Sequence, residues 1–282
     1  MATVWLHIGQ GKTGTTSIQA YLQSLGDSGE ILYPLQGQHN GNRAHHGFFP
    51  LSARDGIKWK QAQSQLAEML AAYRGDARPL VLSSEHMCYL SAPQVADIAG
   101  GLSGRDVRIV YYVRPQPDLI ESTYKTKVMQ ANVRVAPFHE WLERSWKAFD
   151  YRLRIAPWLK AFGQEAILVR PYLSGAMDVA VDFARLTGFS LPNEQRAIRM
   201  RPSLDARSIL ILHEYDRLFP GKLKRDGMIE ALRKVEQTTG KSSFRFVDEE
   251  LKLRILDYYR DSNIRFSKMF LQDSEAPDLL TG

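Results

Sequence analysis

The heaviest constraint on the fold lies at the start of the chain. "TVWLHIG" (Thr3–Gly9) is a nearly continuous apolar run, "QGKTGTTS" follows it, and Ile18, Tyr21, Leu22 and Leu25 then recur at helical spacing before Gly26. An unbroken apolar run predicts a strand buried on both faces, as in a parallel sheet. The recurrence predicts a helix, and a glycine just past the last apolar position is a common stop. The order is strand, glycine-rich loop, helix.

The alternation continues along the chain. "PLVLSSE" (Pro79–Glu85), "VRIVYYVR" (Val107–Arg114) and "AILVRPY" (Ala166–Tyr172) read as further buried strands, and "EILYP" (Glu30–Pro34) as a short one. Between them lie helical patterns: Trp59 to Tyr73, Pro93–Ala99, "PQPDLIESTYKTKVMQ" after Arg114, Pro137–Phe149, Tyr151–Phe162, and Asp178–Leu186 ending at Gly188. From about Pro202 the pattern is mostly helical. Strands alternating with helices predict an α/β fold: three layers, P-loop-like, with a central parallel sheet flanked by helices. No internal repeat or linker-like stretch intervenes, so residues 1–282 are expected to form a single domain with a helical C-terminal portion.

Composition narrows the function classes. With 282 residues, 44% of them hydrophobic, the chain can bury a sizeable core without disulfide or metal. One cysteine, Cys88, excludes an intramolecular disulfide and suits a reducing compartment. "MATVWLHIGQ" has no basic start or secretory apolar run, and no stretch approaches ~18 apolar residues. The expectation is a cytoplasmic protein without a transmembrane segment. Net charge is +6 and the pI about 9.3. Positive charge is dense from Arg199 to Arg245, through Arg201, Arg207, Lys222, Lys224, Arg225, Arg233, Lys234 and Lys241. Ordinary surface charge and a site for anions both account for it. No nucleic-acid-binding motif accompanies it, so no nucleic-acid partner is expected. The seven histidines and the cysteine show no metal-ligand spacing.

A glycine-rich loop between strand and helix aims backbone N–H groups at one spot, and the positive end of the helix dipole adds to them. Lys12 supplies a full charge, and Thr13, Thr15, Thr16 and Ser17 carry hydroxyl donors. A glycine turn that merely joins strand to helix would not need them. The Walker A pattern, G-x-x-x-x-G-K-[ST], is matched only in the spacing of Gly9 and Gly14. Thr15 stands where its lysine belongs, and Lys12 comes earlier. An ATP site also needs an acidic Mg²⁺ ligand at a strand end. "VRIVYYVR" ends in arginine, whereas "LVLSSE" does end in an acid.

"KTGTTS" directly after a first strand resembles the phosphosulfate-binding loop of sulfotransferases, which use 3′-phosphoadenosine 5′-phosphosulfate (PAPS) and release adenosine 3′,5′-bisphosphate (PAP). The resemblance implies that Lys12 stabilises the leaving phosphate oxygen, while Gly11, Thr13, Gly14, Thr15, Thr16 and Ser17 form the 5′-phosphate cradle. That family binds the 3′-phosphate with an arginine at a strand end and a serine eight residues later on the next helix. "VRPQPDLIES" places Arg114 and Ser122 so, and a guanidinium forks onto phosphate oxygens. In "LVRPYL", Tyr172 resembles an adenine contact; in "TTGKSSFRF", Lys241 resembles a late-loop contact to the 3′-phosphate. No metal is implied. "HIG", "GKTGTTSIQ", "ILYP" and "DSNIRFSKMFL" look most like bacterial carbohydrate sulfotransferases of the exopolysaccharide and lipopolysaccharide type. The whole chain then reads as one sulfotransferase-like domain with a carbohydrate or glycoconjugate acceptor.

Such a transfer needs an in-line donor, a neutralised leaving oxygen and a base for the acceptor hydroxyl. Glu85 ends the "LVLSSE" strand, where α/β sheets place ligand chemistry, and several carbohydrate sulfotransferases resemble it in using a glutamate. His86 has a suitable ordinary pKa, but in extended backbone it would face away from Glu85. His45 and His46 lie in a loop, where solvent exposure competes with acceptor contact. His7, inside the first strand, reads as a satisfied core histidine. Trp141, Trp146 and Trp158 read as core packing before sugar stacking. Two other classes stay open: a P-loop nucleotide kinase or hydrolase, and a non-catalytic nucleotide-binding module.

Overall fold

The computed structural model describes residues 2–38, 43–51, 58–130, 135–192, 203–219, 225–272, 274 and 276–280. Of the basic stretch, Arg199, Arg201, Lys222 and Lys224 lie outside the described residues. By its internal contacts the chain divides into two compact units, each assembled from separate segments. The first holds Met1–Arg114, Tyr151–Ile198 and Arg265–Leu279; the second holds Pro115–Asp150, Arg199–Ile264 and Leu280–Gly282.

The first unit is built on four parallel strands: β1 (Val4–His7), β2 (Leu80–Ser83), β3 (Val107–Val113) and β4 (Ile167–Pro171), in the order β2-β1-β3-β4. Every β2 residue is buried, and β3 is buried from Ile109 onward, which is why these runs carry no polar alternation. Connections from β1 and β3 run to opposite sides. The switch point therefore lies between the C-terminal ends of β1 and β3, where α/β sheets bind ligands. "EILYP" is not a strand: it makes a single parallel bridge, Leu32 with Leu80. Pro34, which lacks an N–H, ends the pairing, and Tyr33 turns its hydroxyl to the Arg43 carbonyl.

Helices α1 (Thr15–Asp27) and α7 (Val179–Thr187) cover one face of the sheet. Ile18, Tyr21, Leu22 and Leu25 of α1 join Val110, Tyr112, Ala180, Phe183 and Ala184 in one buried cluster. Asp178 caps α7 through the Ala180 and Val181 N–H groups, and Gly188 closes it in a left-handed conformation. On the opposite face Tyr111 meets Tyr151 at the start of α6 (Tyr151–Phe162), which packs on α3 (Ala92–Gly101). Ser91 and Gln94 form a capping box on α3. Helix α2 (Trp59–Ala72) buries Ala62, Leu66, Met69 and Leu70. The result is a three-layer α/β unit with a central parallel sheet.

The second unit is helical: α4 (Gln116–Gln130), α5 (Phe138–Glu143), α8 (Ala206–Leu218), α9 (Arg225–Thr239) and the part of α10 (Glu249–Phe270) up to Ile264. Pro137–Phe149 is not one helix. Ser145 donates its hydroxyl back to the Trp141 carbonyl, and a separate 3₁₀ turn spans Trp146–Phe149. Tyr124, Phe138, Trp141 and Phe246 form an aromatic cluster. Trp141 is buried there, and Trp158 is buried in the first unit, whereas Trp146 is half-buried against Tyr258. Within the basic stretch, Arg225 is internally paired with Asp216 and two α4 carbonyls, and Arg245 with Asp118 and Glu121.

Candidate active site

The β1–α1 loop is shaped by left-handed backbone. Gly9 has φ 90, Lys12 φ 71 and Gly14 φ 79; the lysine is the unusual member, since side chains avoid this region. At Gly14 a Cβ would sit 2.6 Å from Val179 Cγ1 and 3.1 Å from Tyr172 Cε2. Only glycine lets the loop lie this close to Tyr172 and α7. Gly14 is the N-cap of α1 and has no side chain to cap it, and no acid stands in the first turn. Ser17 and Ile18 donate to the Gly14 carbonyl. The N–H groups of Thr15 and Thr16, in the first turn, have no intrahelical acceptor. This end of the helix is electropositive and open to an anion.

The cradle hydroxyls divide into two sets. Thr13 is buried and donates to the Gln10 carbonyl at 2.5 Å; Thr15 is buried and donates to Glu85 Oε1 at 2.5 Å. Both shape the loop rather than face an anion, contrary to the expectation that all four hydroxyls line it. Thr16 is exposed and Ser17 half-buried.

Glu85 sits against the loop, its Cα 3.0 Å from where a Gly9 Cβ would stand. Its Oε2 accepts from Gln19 at 3.1 Å and lies 3.4 Å from His46 Nε2. Burial alone would raise this carboxyl, but the Thr15 hydroxyl, the His46 ring and Gln19 outweigh it and hold the pKa below 4.5. Glu85 is therefore ionised at neutral pH.

The histidines separate by environment. His45 is buried: its Nδ1 accepts the Ser83 N–H at 3.1 Å, so its Nε2–H donates to the Pro34 carbonyl at 2.8 Å. Burial lowers it to about 4, and it is a structural residue rather than an exposed acceptor contact. His7 is also buried and lowered to about 4 by burial, against the opposing pull of Glu85. It is satisfied at Nδ1, 2.8 Å from Ser83 Oγ, but its Nε2 has no hydrogen-bond partner among the described residues. His86 Nδ1 donates to the Phe49 carbonyl at 3.0 Å. The alternation expected of residues 85 and 86 fails because His86 is αR, φ −65 and ψ −30, where the chain turns after β2. His46 joins them: it faces Glu85 and stacks on His86 with ring centroids 3.9 Å apart.

Arg114 directly follows β3, beside the loop. Its Nη1 donates to the Lys12 carbonyl at 3.3 Å, and its guanidinium lies 5.9 Å from the Tyr172 ring centroid. Its Nε is buried without a hydrogen-bond partner among the described residues. Tyr151 fixes its backbone, accepting the Arg114 N–H and donating to the Arg114 carbonyl. The first unit thus brings together Lys12, Gly14, Glu85, Arg114 and Tyr172. Ser122, on α4, and Lys241, whose Nζ donates to the Ser203 carbonyl at 3.2 Å, belong to the second unit. Gln19, Ser84 and Tyr151 were not read from the sequence. Gln19 carried one signal, a polar residue on the apolar face of α1.

No protein-family model matches the chain. An uncharacterized protein of Archaeoglobus fulgidus is 27% identical over 190 residues, or 65% of this chain and 51% of the relative. The chain thus spans about half the length of the curated relative it matches. A crystal structure of retinol dehydratase in complex with androsterone and inactive cofactor PAP aligns over 97% of this chain and 81% of its own, at 16% identity and a TM-score of 0.37. A likeness that shallow carries no argument about fold or function. Among the described residues no three His, Cys, Asp or Glu side chains gather as a metal site, and no helix is long and apolar enough to cross a membrane.

Proposed function

We propose that this chain is a PAPS-dependent sulfotransferase that moves a sulfuryl group to a hydroxyl or amine of a carbohydrate or glycoconjugate. The carrying observation is the meeting of an uncapped helix N-terminus, Lys12, an ionised Glu85 and an arginine whose buried Nε has no described partner. These groups suit an anion with an activated leaving oxygen beside a proton acceptor. The loop N–H groups from Gly11 to Ser17 hold the 5′-phosphate. Arg114, with Ser122 and Lys241, holds the 3′-phosphate, and Tyr172 packs on the adenine. The assignments of Ser122 and Lys241 rest on the motif resemblance alone. PAPS supplies the activated sulfur–oxygen bond. Glu85 takes the acceptor proton as the new bond forms; Lys12 neutralises the leaving oxygen, which keeps the electron pair. His86 is the second candidate base. Residues 1–282 act as one sulfotransferase-like domain in the cytoplasm, with no metal in the mechanism.

One observation favours a nucleotide kinase or hydrolase: Glu85 follows a strand adjacent to β1, where a magnesium-binding acid would stand. Against it, the loop lacks the Walker lysine, because Thr15 stands at that position. The test is transfer of radiolabelled sulfate from PAPS to a panel of bacterial polysaccharides and glycolipids, with Glu85→Gln as control. Label on a glycan, lost in the variant, is the expected result. Phosphate transfer from ATP with magnesium, and none from PAPS, would overturn it.

A further inference from the structure

We propose that His46 is the positioning residue of this site: Ser84 fixes the imidazole tautomer that presents an N–H to Glu85, and the ring links Glu85 to His86. The catalytic consequence rests on the sulfotransferase reading; the tautomer does not.

The assignment follows from one buried hydroxyl. Ser84 Oγ accepts the His86 backbone N–H at 3.2 Å and lies 2.7 Å from His46 Nδ1. Ser84 is fully buried, so its hydrogen goes to the lone pair beside it, on Nδ1. The neutral His46 ring must then carry its hydrogen on Nε2, the atom 3.4 Å from Glu85 Oε2. With Thr15 on Oε1 and Gln19 on Oε2, each of these contacts presents a donor to the carboxylate. That set favours the ionised form and fixes its orientation, as partners beyond a reacting group commonly do. The stack passes the arrangement on. His86 donates Nδ1–H to Phe49, so its own lone pair is on Nε2, which no described residue hydrogen-bonds. Other titratable groups near Glu85 and His46 include Tyr33 and Cys88, both buried, with His45 and His7. His45 is committed to Pro34 and Ser83, and His7 lies in the core.

The experiment has two arms on the full chain. Long-range proton–nitrogen spectra of histidine-labelled protein read the tautomer, with His46→Gln giving the assignment. Neutral His46 should be protonated at Nε2. Ser84→Ala should move population to the Nδ1 form, and Glu85→Gln should lower the His46 titration midpoint by about one pH unit. A wild-type Nδ1–H form, or a midpoint indifferent to Glu85, overturns the proposal. The second arm follows PAPS breakdown to PAP with water as acceptor. His46→Phe should lose roughly tenfold or more in kcat with PAP affinity unchanged. His46→Gln, which keeps an N–H for Glu85, should recover much of that rate with a flattened acid limb in its pH profile. Equal loss in both variants together with weakened PAP binding marks a merely structural role and overturns it. If PAP does not bind wild type at all, the sulfotransferase reading fails while the first arm still decides the tautomer.

Discussion

Gly14 offers a sharp test of how the loop is held. Its backbone, φ 79 and ψ 13, nearly matches that of Gly188, φ 75 and ψ 13. An L side chain costs ~1–2 kcal/mol in this region, offset by ~0.4–1 kcal/mol from a stiffer unfolded chain. At Gly188 an added Cβ meets nothing within 4 Å, so Gly188→Ala should cost about 1 kcal/mol. At Gly14 the same Cβ meets Val179 at 2.6 Å and Tyr172 at 3.1 Å, and Val179 is 6% exposed and packed in the α1–α7 cluster. Overpacking of that kind adds ~1–3 kcal/mol. Gly14→Ala should therefore cost about 2–4 kcal/mol. Urea midpoints at equal m-values measure both. Equal losses at the two sites, or a Gly14→Ala protein as stable as wild type, would refute the reasoning.

His7 and His45, lowered to about 4 in the fold, stay neutral while the unfolded chain takes up protons below 6.5. The unfolded state binds more protons in that window, so urea stability should fall as pH drops from about 6.5 to about 4, by up to about 3 kcal/mol per histidine. Stability that rises on acidification would contradict this. Glu85, lowered from 4.5, contributes stability above that pH and loses it below. Thr15→Val should move its carboxyl carbon-13 titration upward, and an unmoved curve would count against the Thr15 hydrogen bond. Arg225, only 11% exposed, is paired with Asp216 and α4 carbonyls. Arg225→Ala strands Asp216 and should cost about 3 kcal/mol by the same urea measurement. A loss under about 1 kcal/mol would show the pairing to be peripheral.

β2 and β3 were legible because burial on both faces leaves little polar alternation to misread, whereas β4 alternates buried and half-buried residues and was legible from its β-branched and apolar run. Val107–Arg114 and Ala166–Tyr172 match β3 and β4 within a residue or two at each end. "EILYP" misled because a short apolar run before proline resembles a strand whether or not a neighbour has room to pair. The strand–loop–helix order was legible from the apolar run before Gly9 and the helical spacing after Gly14, both of which are local. The directions of the Thr13 and Thr15 hydroxyls were not. Thr15 turns to Glu85, seventy positions away, and sequence spacing carries no such contact. His46 lies next to His45 in sequence, yet one lines the site and the other is locked in the core. That difference is set by Ser83 and Ser84, which alternate across the end of β2.

The central claim is that the loop holds a phosphosulfate without a metal. Calorimetric titration with adenosine 3′,5′-bisphosphate in EDTA, beside ATP with magnesium, tests it most directly, using wild type, Lys12→Ala and Arg114→Ala. Metal-free binding of the bisphosphate, weakened roughly tenfold or more in each variant, is the predicted result. Silence toward the bisphosphate, with ATP bound only when magnesium is present, would contradict the account.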